Sequence, residues 1–468
     1  MVILPFLCLF LVPITSFQLQ PNQHRQKIKS QIFSSSISSP LSPPTPLQTL
    51  FPSPASSFSL THDRDACGVG FITNPTKPPS HQILSDSLSA LSCMEHRGAC
   101  GGDGSSGDGA GVMTSIPWDL FPEFVSSDCS RPGVGMIFLP NGSDLDTVTR
   151  REMIKATIES VCNAHELEVL GWRDVPVDES VLGFNAKRRC PNIQQVSLSS
   201  IHSIPFHSIP FFNTHPPTHP HTHTPPFKLF VKAPTKLNNP AMRDAFERTL
   251  YLVRRKFMAE VDPTGNDPDI YVASFSSQTI VYKGMTKSEV LPLFYKDLTN
   301  PNYKTTFAIY HRRFSTNTTP EWRLAQPMRV LGHNGEINTL LGNVNWMIAR
   351  EAAKESDTFV DLVDDNTTDH IVMSVNTQNS NLESLVDLGR SDSANLDAVF
   401  ELMTKSRHRA ACAMMCLVPA AYRNEPTYEE NPDIVAFQDY HSGLLEGWDG
   451  PALLMYCDGN TVGASLDR

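Results

Sequence analysis

The chain has 468 residues, 40% of them hydrophobic and 19% charged, which is enough apolar material for a large folded core. Its formal net charge of −11 argues against a protein that binds nucleic acid or an anionic membrane, and leaves chemistry on small molecules open. Ten cysteines without paired Cys-x-x-Cys spacing exclude a disulfide scaffold and indicate a reducing compartment.

The first 66 residues are predicted to be a removable targeting region. Residues 1–16 contain a short apolar run typical of a signal peptide. Residues 17–66 are rich in Ser and Pro and have no acidic residue before position 62, as in a disordered transit peptide or propeptide. This two-part leader resembles those of proteins imported into secondary plastids; an ordinary chloroplast or mitochondrial presequence is the alternative. We expect the mature protein in the plastid stroma.

The part that follows is predicted to mix strands with helices. Strands are predicted at residues 68–71, 111–116, 134–139, 168–172, 192–196 continuing into 229–233, 270–275, 279–283, 307–311, 452–457 and 461–464. Helices are predicted at residues 81–94, 147–164, 240–260, 338–354, 395–406 and 428–445, with a further helical run around Cys412 and Cys416. Turn residues 276–278 and 458–460 predict two hairpins. This mixture favours an α/β or α+β protein with mostly antiparallel sheets.

Residues 197–226 form a low-complexity insertion. The sequence HSIPF occurs at 202–206 and again at 207–211, and a His/Pro/Thr tract follows. Its prolines prevent the helix or hairpin that would position the histidines around a metal ion, so we expect no metal site. The segment is expected to be disordered or derived from an intron, which sequencing of the transcript across residues 196–228 tests.

Cys67 directly follows the predicted leader, in the sequence ACGVGF at residues 66–71. The small residues there allow the backbone to pass close to another group. If cleavage makes Cys67 the first residue, its free α-amine, with an unperturbed pKa of about 7.7–8.0, can accept the thiol proton. Cys67 is therefore a candidate nucleophile, and a buried structural cysteine is the alternative.

Three polar clusters could serve this thiol. HRRFSTNT at 311–318 offers an arginine fork for a carboxylate and neutral hydroxyl contacts, or is a solvated strand end. GHNGEINT at 332–339 offers an Asn amide and a Gly N–H for an oxyanion hole, or a simple turn. SDSANLD at 391–397 offers an acid for an ammonium group, or a helix cap. Together with a thiol, they suit hydrolysis of a side-chain amide, with glutamine as the natural substrate.

The residues from 67 to 468 resemble the N-terminal glutaminase part of glutamate synthase, a class II glutamine amidotransferase. The resemblance is carried by ACGVGF at 66–71, MEHRG at 94–98, SGDGAG at 106–111, VYKGM at 281–285, HRRFSTNT at 311–318, AQPMR at 325–329, GHNGEINT at 332–339, SDSANLD at 391–397 and WDGPA at 448–452. It implies an α+β fold, the four-layer αββα N-terminal-nucleophile (Ntn) hydrolase sandwich of mostly antiparallel sheets, truncated at its C-terminus. It also implies that Cys67 is the nucleophile and that Asn334 and Gly335 form the oxyanion hole.

The same resemblance assigns the substrate contacts. Arg313 would bind the α-carboxylate of L-glutamine, with Thr316 in the same substrate-binding segment, and Asp392 would bind its α-ammonium group. Hydrolysis would give L-glutamate and ammonia.

In the full family enzyme, the ammonia passes to 2-oxoglutarate bound over FMN, and electrons arrive through an iron–sulfur (3Fe-4S) cluster. The chain stops before those regions, so we expect no cofactor in it and no glutamate synthesis from 2-oxoglutarate by it alone. Ferredoxin is the expected electron donor rather than NADH, because the leader looks plastidial and SCMEH at 92–96 and IPWD at 116–119 are closer to that form. The alternatives are another class II amidotransferase and a fragment that binds glutamine without catalysis.

Overall fold

A computed structural model describes residues 68–124, 132–200, 240–265, 267–314, 320–353, 382–406, 408–423, 428 and 431–466. The strands are β1 (Val69–Thr73), β2 (Ala110–Ser115), β3 (Gly133–Leu139), β4 (Leu167–Asp174), β5 (Asn192–Ser200), β6 (Tyr271–Ser276), β7 (Thr279–Gly284), β8 (Phe307–Arg312), β9 (Leu331–Gly335), β10 (Ala452–Cys457) and β11 (Val462–Leu466). The helices are α1 (His81–Cys93), α2 (Leu145–Ala164), α3 (Phe184–Arg188), α4 (Pro240–Val261), α5 (Leu291–Phe294), α6 (Leu340–Ala353), α7 (Asp392–Lys405), α8 (Ala410–Leu417) and α9 (Pro432–Ser442).

The described strands form three sheets with the orders β1-β8-β2-β7, β11-β10-β9 and β4-β5-β3-β6. Neighbouring strands in these sheets run antiparallel, as the sequence predicts. Within the described ranges, no helix combines the length and apolar character that a membrane crossing requires.

The first two sheets pack face to face, because successive side chains of a strand point to opposite faces. On β8, Phe307 and Ile309 lie in a core with Met455 of β10, between the two sheets. Ala308 of the same strand faces the other way, into a core shared with Leu84 of α1. Helix α1 therefore covers the outer face of the first sheet.

The outer face of the second sheet is covered by α7. Leu454 and Tyr456 of β10 alternate with the residues that face the first sheet, and pack in one core with Leu396 and Phe400 of α7. The layers follow in the order α1, first sheet, second sheet, α7. This arrangement confirms the expected α+β four-layer αββα sandwich.

The third sheet extends this sandwich at the side of the first sheet. On β3, Ile137 and Leu139 pack in a core with residues of α2 and α4, whereas Met136 and Phe138 join the core beneath α1. The chain passes from the third sheet to the first through the turn between β6 and β7.

The predicted hairpin at residues 276–278 is wrong, because β6 pairs with β3 and β7 pairs with β2. The buried carboxylate of Glu247, on α4, accepts hydrogen bonds from the Ser276 hydroxyl at 3.0 Å and the Ser277 backbone N–H at 2.6 Å. These bonds direct the turn from one sheet into the other. The predicted hairpin at 458–460 is confirmed, since β10 and β11 pair across it.

Strands β9 and β5 also differ from the prediction. Strand β9 was not predicted, because its polar residues look like a turn. Residues 197–200, assigned to the start of the insertion, belong to β5 and pair with β3 and β4. The leader, the predicted strand at 229–233, and residues 201–226 of the insertion lie outside the described residues.

Candidate active site

Gly68 brings the start of β1 close to Asn334. Its carbonyl accepts a hydrogen bond from the Arg312 backbone N–H at 2.6 Å. A Cβ added to Gly68 would lie 2.6 Å from the Arg312 carbonyl oxygen and 3.8 Å from Oδ1 of Asn334. Only glycine fits such a close approach. Cys67 itself lies outside the described residues, but the residue that follows it lies close to Asn334.

Asn334 and Gly335 end a strand instead of forming the turn that the sequence also allowed. Strand β9 pairs with β10, with Gly335 opposite Ala452. Gly335 has a φ of +141°, and a Cβ there would lie 1.8 Å from the Pro451 carbonyl oxygen. Gly450 has a φ of +155°, and its Cβ would lie 1.9 Å from the Glu336 carbonyl oxygen. The two glycines allow the end of β9 and the segment before β10 to lie in close contact, and this contact fixes the backbone at the Asn-Gly pair.

Arg312 is a buried structural residue. Its guanidinium makes a two-pronged contact with Glu95, through Nε at 3.0 Å and Nη2 at 2.9 Å. Nη1 donates to Asp108 and, at 2.8 Å, to the Gly109 carbonyl. A Cβ on Gly98 would lie 1.8 Å from Cζ of Arg312, so glycine leaves room for the guanidinium. The sequence motifs at 94–98 and 106–111 therefore converge on Arg312.

Glu95 is ionised at neutral pH in this contact. Burial by itself raises the pKa of the carboxyl, but hydrogen bonds from Arg312 and from the Ser288 backbone N–H lower the pKa below its usual value. Arg312 and Glu95 thus form a charged pair beneath the strand end.

Arg313 differs from its neighbour in exposure and conformation. Its side chain is 43% exposed, and Nε lies 3.4 Å from Oδ2 of Asp108. Its φ is +134°, which costs a non-glycine residue about 1–3 kcal/mol. The backbone N–H donates to the Gly109 carbonyl at 2.9 Å, and the carbonyl accepts from the Gln326 N–H at 3.3 Å. The sheet thus presents a partly exposed cation where β8 ends.

Asp392 links α7 to the segment that follows Gly335. The helix cap is Ser391, whose hydroxyl accepts from the Ala394 N–H at 3.2 Å. Asp392 is buried at the first helical position, and its Oδ2 accepts from the Ile337 N–H at 3.1 Å. The capping role therefore belongs to the serine, and the carboxylate lies close to the end of β9.

Two buried histidines, neither of which has a role predicted from sequence, flank the Asn-Gly segment. His311 Nε2 donates to the His333 carbonyl at 2.9 Å, and His333 Nδ1 lies 2.8 Å from the Ser393 hydroxyl. Burial lowers the pKa of His311 to about 4. Burial also lowers the pKa of His333, although Asp392 opposes this shift. Both rings are neutral at pH 7 and pack the site without charging it. Their sequence signal is their place in the motifs at 311–318 and 332–339.

Of the predicted site residues, Asn334 lies beside Gly68, Arg313 directly follows the residue whose N–H bonds to Gly68, and Asp392 bonds to the backbone two residues after Gly335. Thr316, like Cys67, lies outside the described residues. Among the residues that the structure does describe, no group of three or more His, Cys, Asp or Glu side chains is placed to bind a metal ion. A cation, an anion and amide donors are the groups that recognition of an amino acid with a side-chain amide requires.

Sequence comparison relates this arrangement to known proteins. The family described as "Glutamine amidotransferases class-II" matches residues 67–205 and 200–468. The chain is 44% identical over 416 residues to "Ferredoxin-dependent glutamate synthase 2, chloroplastic" of Arabidopsis thaliana, over 87% of this chain and 22% of that protein. It is 43% identical over 418 residues to "Ferredoxin-dependent glutamate synthase 2" of Synechocystis sp., over 87% of this chain and 23% of that protein.

A third relative is "Ferredoxin-dependent glutamate synthase" of Pyropia yezoensis, 40% identical over 433 residues, which cover 91% of this chain and 24% of that protein. The chain therefore spans less than a quarter of the length of these three relatives.

Proposed function

The chain belongs to the class-II glutamine amidotransferase family, and from this premise we propose that it hydrolyses L-glutamine to L-glutamate and ammonia through a thioester on Cys67. The observation that supports this most is the closeness of Asn334 to Gly68, the residue that follows Cys67. This closeness supports a role for the Asn334 side-chain amide and the adjoining Gly335 N–H beside the proposed nucleophile.

Cys67 acts as the nucleophile once the leader is removed. Its α-amine takes the thiol proton, and the thiolate attacks the side-chain amide carbon of glutamine. The α-amine then returns the proton to the leaving nitrogen, and ammonia departs as the thioester forms. Water hydrolyses the thioester and releases glutamate, which regenerates the thiol.

Asn334 and Gly335 stabilise the oxyanion that forms on the amide oxygen. The Asn334 side-chain N–H and the Gly335 backbone N–H are the proposed donors. The close crossing of Gly335 with Pro451 supports this role, because preorganised donors need no rearrangement during the reaction.

The charged residues recognise the two polar groups on the glutamine α-carbon. Arg313 binds the α-carboxylate through its partly exposed guanidinium, and Thr316 adds a neutral contact in the same segment. Asp392 binds the α-ammonium group, a role supported by its place beside the segment that follows Gly335.

The relatives' names support a proposal for the activity of the whole protein. We propose that the ammonia is used for glutamate synthesis with ferredoxin as the electron donor, and that the protein works in a plastid, as the names of the Arabidopsis thaliana and Oryza sativa relatives state for those proteins. FMN and an iron–sulfur cluster belong to the part of such a protein that this chain does not span.

The first test is the N-terminal peptide of the mature protein, determined by mass spectrometry on material from the source organism. A peptide that begins at Cys67 leaves the α-amine free and supports the mechanism. If any of residues 63–66 is retained, the base is an amide nitrogen and the mechanism fails.

The second test is ammonia release from glutamine by that mature protein. We expect stoichiometric glutamate and ammonia, and no ammonia from a Cys67→Ala variant that still binds glutamine. A wild-type protein that binds glutamine without releasing ammonia would instead be a binding module.

A further inference from the structure

Gln326 contacts three segments of the proposed active site, two through their backbone and one through a side-chain hydroxyl. It is 2% exposed and lies between β8 and β9. Its side-chain Oε1 accepts from the His333 N–H at 2.8 Å, and its Nε2 donates to the His333 carbonyl at 2.8 Å. The Gln326 side-chain amide thus satisfies the backbone N–H and carbonyl of His333, as a neighbouring strand would, at the residue immediately before Asn334.

The same residue also reaches the carboxylate-binding arm. The Gln326 backbone N–H donates to the Arg313 carbonyl at 3.3 Å, next to an isolated bridge between Phe314 and Ala325. Its Nε2 lies 3.4 Å from the Ser393 hydroxyl, beside Asp392. Gln326 thus joins the Arg313 and Asn334 segments directly and reaches the start of α7.

The segment around Gln326 is fixed from behind. The buried ammonium group of Lys283 donates to the Arg323 carbonyl at 2.9 Å, and the Met328 N–H donates to the Leu331 carbonyl at 2.8 Å. Gln326 therefore belongs to a tightly bonded loop and is not free to follow movements of Arg313 or Asn334.

We propose that Gln326 is a positioning residue that sets the spacing between Arg313 and Asn334, and so between the carboxylate clamp and the oxyanion hole. This inference rests on the proposed function. Glutamine must engage both groups at once, and a misplacement of about 1 Å costs about 10²-fold in rate. Gln326 does not touch the substrate in this role; it acts through the backbones of Arg313 and His333.

The test compares two substrates in a Gln326→Met variant, which keeps the side-chain length and removes both amide hydrogen bonds. We expect kcat/KM for L-glutamine to fall by about 10²-fold. 4-Aminobutanamide has the amide and the amine but no carboxylate, so its turnover does not depend on the spacing to Arg313. We expect kcat/KM for 4-aminobutanamide to fall by less than about 5-fold, which is one third of the L-glutamine loss on a logarithmic scale. Equal losses for both substrates, or no loss for L-glutamine, would overturn the proposal.

A matched control is Gln195→Met. Gln195, on β5 of the third sheet, is also 2% exposed and makes two side-chain hydrogen bonds, with Arg173 of β4 at 2.7 Å and with Tyr282 of β7 in the first sheet at 3.0 Å. This variant should lose stability in urea without a change in the ratio of the two kcat/KM values. If Gln326→Met does not fold, Gln326→Asn retains the amide at a shorter reach and should show the same selective loss. A wild-type protein inactive on both substrates would overturn the proposed function, and this inference with it.

Discussion

At the scale of single residues, two adjacent arginines have opposite environments. Successive side chains leave a strand on opposite sides, and a change of backbone conformation follows directly after Arg312. The Arg312 side chain is 0% exposed and is bound by Glu95 and Asp108, whereas the Arg313 side chain is 43% exposed. The first therefore stabilises the fold, and the second is available to a ligand.

Replacing each arginine by methionine separates these roles. Arg312→Met leaves the buried Asp108 carboxylate without its main partner, and should reduce the free energy of unfolding by about 3–5 kcal/mol. Arg313→Met should change it by less than about 1 kcal/mol, because its ion pair is partly exposed. The same Arg313 variant should raise KM for glutamine about 10-fold or more, since it loses a charge-assisted contact. Urea denaturation and steady-state kinetics measure both; the reverse order would contradict the assignment.

Asn334→Ala removes one proposed oxyanion donor. We expect kcat for glutamine to fall by about 10²–10³-fold with little change in stability. Asn338→Ala is the control, because Asn338 is exposed and bonds to the Asp449 carbonyl through its backbone N–H, which alanine keeps. Near-wild-type turnover by Asn334→Ala would remove this residue from the oxyanion hole.

At the scale of elements, the end of β9 depends on its close contact with the segment that leads into β10. Gly335 has a positive φ, and it approaches the Pro451 carbonyl more closely than any residue with a Cβ allows. A side chain at Gly335 would therefore displace the backbone that carries the proposed oxyanion-hole donors. Stability and activity are therefore coupled at this point.

Gly335→Ala should destabilise the protein by at least about 1–3 kcal/mol and abolish most glutaminase activity. Gly342→Ala is a matched control on α6, where an added Cβ meets nothing within 4 Å. Alanine favours a helix over glycine by about 1 kcal/mol, so this variant should be slightly more stable and fully active. Thermal unfolding and ammonia release give both values, and similar behaviour of the two variants would contradict the steric explanation.

At the scale of the whole molecule, stability should depend on pH through the buried histidines at the meeting of β8 and β9. Burial lowers the pKa of His311 from 6.5 to about 4, so the unfolded chain binds this proton more readily than the folded protein. The stabilisation is complete above pH 6.5 and is lost as the pH falls towards 4. His333 contributes in the same direction.

The free energy of unfolding should therefore fall by about 1.4 kcal/mol per pH unit for the His311 proton, between pH 6.5 and 4. His311→Asn removes this proton and should flatten the slope by that amount. Urea denaturation at several pH values measures the difference between the two proteins. Parallel slopes would show that His311 does not titrate in this range.

The sequence by itself determined the local features of this protein. Alternating apolar residues and capping residues gave most described strands and helices, because their signals lie within one segment. The resemblance identified Arg313, Asn334, Gly335 and Asp392 as candidate site residues.

Tertiary structure decided the rest. Arg312 meets Glu95 across 217 residues, and Gln326 bonds to the backbone of His333 on β9 and of Arg313, which directly follows β8. The turn between β6 and β7 joins two sheets because Glu247 of α4 binds it. Such contacts depend on which surfaces meet after folding, and no local pattern records them.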